Sequence, residues 1–78
     1  MRKDTKLYKI LKFIYLNNNK KVSSREISES TGIELKQITP YFNRLSDYVK
    51  REKLNGLWNY HIPKYNQDYI GRILTDDD

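Results

Sequence analysis

The stretch VSSREISESTGIELKQITPYFNRLSDY, residues 22–48, decides the fold. In its second half Leu35, Ile38, Phe42 and Leu45 recur at three- and four-residue spacing, so they share one face of a helix. Lys36, Gln37, Thr39, Pro40, Asn43 and Arg44 fall on the other side, with Tyr41 between the two. No carboxylate occurs from Lys36 through Ser46. Gln and Asn side chains match adenine edges, Arg matches guanine, and Lys holds phosphate. The other reading of this face is plain solvation.

Immediately upstream, Ser23 with Glu26 three residues later is a capping box, in which each partner satisfies an orphan amide at a helix start. It predicts a short helix from Ser24 to about Ser30, with Ile27 inward. Thr31-Gly32 ends that helix, because glycine accepts the left-handed conformation of a C-terminal cap. Ile33 then enters the core. A short helix, a turn with glycine and a second helix make a helix-turn-helix arrangement, which also occurs in proteins that bind no DNA.

Pro40 complicates the second helix of that pair. A mid-helix proline costs about 3 kcal/mol, whereas the first turn tolerates it. The helix either begins late, near Lys36 or Gln37 with Glu34-Leu35 as its approach, or begins near Glu34 and bends at Pro40. Energetics favour the late start.

Downstream of Tyr48 the period drops to two. Asn55-Gly56 between the two runs is the strongest short hairpin signal, since both residues accept the positive φ of a type I′ turn. The implied register pairs Leu54 with Leu57, Lys53 with Trp58, Arg51 with Tyr60 and Val49 with Ile62. It sets Arg51 and Lys53 beside aromatic rings. Pro63 ends the second strand. Asn66 or Asp68 is expected to cap a short last helix carrying Tyr69, Ile70, Ile73 and Leu74, which Gly71 weakens by about 1 kcal/mol. Residues 76–78 are expected to fray.

Upstream of Val22, Asp4 or Thr5 caps a first helix from about Lys6 to Asn17. Leu7, Ile10, Leu11 and Ile14 form its apolar stripe, and Phe13 and Leu16 widen it. Lys6, Lys9 and Lys12 line up beside the stripe, where keeping the helix soluble is reason enough for them. Asn17 through Lys21 is a polar linker that breaks the period.

With 78 residues the chain is read as a single domain, 1–78, with a core at about 5–62 and a C-terminal extension at 63–78. The absence of cysteine and a lone His61 argue against disulfides and metal centres, so no metal or cofactor is expected. The longest apolar run is too short for a bilayer and no signal-peptide pattern opens the chain, which predicts an intracellular, cytoplasmic protein with no membrane partner. Net charge is +5, and it is uneven: seven cations face only Asp4 over residues 1–21, while residues 63–78 are net acidic. A polyanion met on one side suits that distribution. No catalytic pairing, phosphate loop or small-molecule effector site is evident, so no enzyme activity is expected.

VSSREISESTGI (22–33), ITPYFNRL (38–45) and YVKREKLNGLWNYHI (48–62) together resemble the winged helix-turn-helix superfamily of DNA-binding domains. The resemblance covers about residues 5–62 and rests on element order and turn chemistry. It departs from many members in having no glycine between the third helix and the wing, and in carrying Pro40. It implies an α+β, mostly α fold: a three-helix core with a helix-turn-helix, then a two-stranded β-hairpin wing and, here, a short C-terminal helix. It also implies that the third helix enters the major groove while the wing contacts the adjacent backbone or minor groove.

The candidate base-reading residues are then Gln37, Thr39, Tyr41, Asn43 and Arg44. Candidate backbone contacts are Ser23, Ser24 and Arg25 at a helix N-terminus, and Lys36, Lys50, Arg51 and Lys53. The expected function is sequence-specific binding of double-stranded DNA by a small transcriptional regulator that acts by occupancy. The rivals are a protein–protein interaction module in a replication or transcription assembly, and nonspecific architectural binding. Tyr69, Ile70, Ile73 and Leu74 either form a homodimer contact with the first helix or pack back onto their own domain.

Overall fold

The computed structural model describes residues 4–18 and 20–75. Thr5 caps the first helix, α1 (Lys6–Leu16), its hydroxyl accepting the Tyr8 amide at 3.1 Å. Then follow β1 (Val22–Ser23), α2 (Ser24–Thr31), α3 (Leu35–Leu45), β2 (Lys50–Leu54), β3 (Leu57–His61) and α4 (Lys64–Thr75). The result is a mostly helical α+β domain. Residues 76–78, expected to fray, lie outside the described residues.

The capping box forms as its spacing requires. Ser23 Oγ accepts from the Glu26 amide at 3.1 Å, and Glu26 Oε1 accepts from the Ser23 amide at 3.2 Å. Gly32 closes α2 with φ 77°, donating its amide to Ser28 O at 2.9 Å. Two hydroxyls stitch the turn that follows: Ser28 Oγ donates to Ile33 O and Thr31 Oγ1 to Ile27 O, each at 2.6 Å.

The expectation of a two-stranded sheet is corrected. The sheet has three antiparallel strands in the order β1-β3-β2, with Val22 opposite Tyr60 and Ser23 opposite Asn59. A two-residue strand carries no period to read. The extended backbone that Ser23 adopts as N-cap, φ −80° and ψ 159°, is also strand geometry, so one conformation serves both roles. Beyond β1, Lys21 forms an ion pair with Glu52 of β2. The β2–β3 register is the expected one from Lys50–His61 to Leu54–Leu57, with Asn55 at φ 51° and Gly56 at φ 80° in the turn.

Two further expectations change. The late start of the third helix is overturned by one residue, since α3 begins at Leu35 and Pro40 sits inside it. Pro40 has no amide to give the Lys36 carbonyl, but its position on the exposed side leaves that carbonyl to water. Leu35, grouped with the apolar face, is 43% exposed. Neither Asn66 nor Asp68 caps α4, which follows directly on Pro63; the Asn66 side-chain Nδ2 instead donates to Asp47 O and Tyr48 O at 3.3 and 3.2 Å, tying α4 to the loop after α3.

The core extends past residue 62. Ile10, Leu11 and Ile14 of α1 join Val22, Ile27, Ile33, Ile38, Leu45, Val49, Tyr60 and Ile62, and α4 adds Ile70 and Leu74. Each such side chain contributes about 1.5–3 kcal/mol on burial. Gly71 permits the close packing of α4 on α1, because a Cβ there would stand 2.7 Å from Tyr15 Oη. The linker before β1 is also more than a spacer: Asn18 accepts from the Ile62 amide at 2.7 Å and donates to the Ile62 carbonyl at 3.0 Å, mimicking a strand partner. Among the described residues no helix is long and apolar enough to cross a membrane.

Candidate nucleic-acid interface

α3 presents its polar residues in two rows. Gln37, Tyr41 and Arg44 follow one another at helical spacing and, with Lys36 and Pro40, line an open concavity of about 520 Å³. Thr39 and Asn43, four residues apart, form the other row, on the exposed side of the helix. Gln37 is half-buried and receives Lys6 Nζ at 3.5 Å, which brings the N-terminal end of the α1 lysine row against the first turn of α3. Lys36 is paired with Glu34 at 3.4 Å, but at 81% side-chain exposure the pair is weak and the ammonium stays available. Tyr41 is half-buried beside the core, in keeping with its place between the two faces of the helix.

The residues grouped for backbone contact do not stay together. Ser24 is 7% exposed and is withdrawn from an anion-facing role, because its side chain points into the domain. The Ser23 hydroxyl is occupied by the Glu26 amide, whereas Arg25 is exposed. The Ser23 amide holds the Glu26 carboxyl below the usual glutamate range; burial opposes this and Lys20, 3.5 Å away, assists.

On the hairpin, alternation separates the cations. Lys53 and Arg51 lie on the face of Trp58 and Tyr60, while Lys50, opposite His61, lies on the other face. Lys53 Nζ is exposed, 5.6 Å from the Trp58 ring centroid. Arg51 is placed differently. Its guanidinium carbon stands 4.0 Å from the Trp58 ring centroid and 4.3 Å from that of Phe42, and its Nη1 is buried without a hydrogen-bond partner. This cation is packed between two rings, with part of the side chain still exposed.

Below it, Tyr60 is 1% exposed and its ring meets that of Phe42 at 5.6 Å. Its hydroxyl is near Arg51 and Thr39 without bond geometry to either. Burial pushes the Tyr60 pKa up, and the charge of Arg51 pulls it partly back. A seam of Thr39, Phe42, Arg51, Trp58 and Tyr60 therefore joins α3 to the hairpin. The register pairs Arg51 with Tyr60, but a two-stranded pattern does not say which helix covers that face.

Of the residues expected to meet a second copy, Ile70 and Leu74 are buried in their own chain and Ile73 packs on the same core, so the packing-back alternative holds for them. The ring of Tyr69, 47% exposed, is tilted 34° to that of Tyr48 with centroids 5.6 Å apart, and the Tyr69 hydroxyl, first by hydrogen bonding and then by charge, raises the Tyr48 pKa. No family model, curated protein or solved structure matches the chain.

Proposed function

We propose that the chain is a winged helix-turn-helix domain that binds double-stranded DNA in a sequence-specific way, with α3 in the major groove and the β2–β3 hairpin on the adjacent backbone. It acts as a small transcriptional regulator by occupying its site. The observation that carries this reading is the carboxylate-free outer face of α3, where exposed Lys36, Thr39, Asn43 and Arg44 stand with half-buried Gln37 and Tyr41. The exposed cations Arg25 and Lys53 supply phosphate contacts on either side of it.

Selection of bound sequences from a random duplex pool is the direct test. The expected result is an enriched motif whose affinity exceeds that of random duplex by about 10³ or more, and falls steeply with salt. Asn43→Ala and Arg44→Ala relax preference at individual positions, whereas Lys53→Ala weakens all sequences alike. Failure of the protein to bind any duplex at low salt overturns the reading and leaves a protein-binding role for the same surface. A palindromic motif would indicate a homodimer.

A further inference from the structure

We propose that Arg51 is a positioning residue that sets the angle between α3 and the β2–β3 hairpin, and so governs duplex binding without contacting phosphate. This role presupposes that duplex DNA is the ligand of α3 and the hairpin; the geometric part stands without it.

The main chain of α3 packs closely on α2 but approaches the strands at few points. Side chains span the gap instead. From α3 comes Phe42; from β3 come Trp58 and Tyr60; from β2 comes Arg51, opposite Tyr60 in the register. The Arg51 guanidinium touches the rings of both Phe42 and Trp58, at 4.3 and 4.0 Å, so it contacts the helix and the hairpin at once. A planar guanidinium stacks on aromatic faces in a way that a lysine ammonium does not.

The hydrogen bonding points the same way. Of the Arg51 nitrogens, Nη1 is buried without a hydrogen-bond partner, so that edge of the guanidinium faces the seam and not a ligand. The Tyr60 hydroxyl beside it is also buried and unpaired. Two unmet polar groups in one seam are tolerated where surrounding packing holds them, and here that packing is the pair of rings. Lys53, two residues along the same face, is the contrasting case: it is exposed and only 5.6 Å from the Trp58 ring. One face of β2 thus carries an inner cation that orients and an outer cation that reaches.

A duplex gripped by α3 and the hairpin together is sensitive to the angle between them, since a tilt displaces both sets of contacts. Charge at position 51 is then not the property that matters. Planarity is.

Binding to the selected duplex, measured across a salt series for the full chain and for Arg51→Lys, Arg51→Met and Lys53→Met, separates the roles. The expected result is that both Arg51 variants lose affinity about tenfold while the log–log salt slope stays at the wild-type value. Lys53→Met shallows that slope by about one. Wild-type affinity for Arg51→Lys, or a slope shallower by about one for Arg51→Met, makes Arg51 a phosphate contact and overturns the proposal. A DNA-free measurement runs beside it. The chain has no cysteine, so spin labels on Lys36→Cys in the first turn of α3 and Leu54→Cys at the end of β2, both exposed, report the distance between helix and hairpin. That distance is expected to shift or broaden in both Arg51 variants and in Phe42→Leu; an unchanged distribution in folded Arg51→Lys overturns the geometric claim. If the wild type binds no duplex, the DNA reading falls and the label distance alone decides the role of Arg51. Should Arg51→Met fail to fold, Arg51→Lys and Phe42→Leu carry both measurements.

Discussion

α1 meets α4 and α3 meets the hairpin, and the two junctions are built of different materials. The first is close and its polar group is paired: Ile70 and Leu74 of α4 are buried, the Tyr8 hydroxyl of α1 donates to the Leu74 carbonyl at 3.4 Å, and Gly71 lets the Tyr15 ring lie against the α4 backbone. The second is made of long side chains, three rings and a guanidinium, with unpaired polar atoms enclosed among them. Close-packed contacts resist displacement because any gap forfeits dispersion on both sides. A bridge of long side chains spans distance but concentrates control in very few residues. The rigid junction therefore supplies stability, and the bridged one supplies geometry.

The largest expected effect tests the first half of that contrast. Ile70→Ala removes a fully buried side chain and is expected to cost about 2–5 kcal/mol in denaturant unfolding, with the spacing of α3 and the hairpin unchanged in the folded fraction. A loss below about 1 kcal/mol would mean that α4 is an appendage after all. Phe42→Leu tests the other half. It takes away the Arg51 and Tyr60 ring contacts and is expected to cost about 1 kcal/mol of stability, but more in duplex affinity than that destabilisation explains.

Ser23→Ala probes the start of α2. It is expected to cost about 1 kcal/mol through the lost cap. The Glu26 carboxyl has its folded pKa lowered, so its contribution is present above the ordinary value of 4.5 and disappears as pH falls through the lowered one. Because the Ser23 backbone amide that lowers it survives in Ser23→Ala, the pH test needs Glu26→Gln, whose stability should depend less on pH in the acid range, as followed by thermal unfolding between pH 3 and pH 6.

The smallest effect at neutral pH belongs to Tyr60→Phe, which deletes a buried unpaired hydroxyl and is expected to be within about 0.5 kcal/mol of wild type. At high pH the two diverge. Burial raises the folded pKa of Tyr60, so its contribution is complete below the ordinary value of 10.0 and is lost as pH rises through the raised one. The phenylalanine variant should lack that share of the alkaline loss. If Tyr60→Phe destabilises by more than about 1 kcal/mol at neutral pH, the hydroxyl has a bonding role in the seam that the geometry does not reveal.

Legibility along the chain followed the range of the interactions. The capping box, the Gly32 closure and the Asn55-Gly56 turn are written in residues at most three apart, and each formed where its chemistry placed it. β1 escaped notice because two residues make no period and its pairing with β3 spans more than thirty-five residues of sequence. Pro40 argues for a late helix start because its cost is local, whereas the helix around it is held by Ile38 and Leu45 against the core. The site divided in the same way. Periodicity identified the outer residues of α3, but Ser24 and Arg51 were grouped by charge and hydrogen-bonding type alone, and burial depends on what packs above them.

By itself the sequence determined the order of elements, the hairpin register and the carboxylate-free face of the third helix, since these follow from spacing and turn chemistry within short windows. Tertiary structure alone decided that the sheet has a third strand, that α4 completes the core, and that Arg51 lies between helix and hairpin. Those outcomes depend on which surfaces meet. A linear pattern states the faces an element offers, but burial is settled only when another element covers one of them.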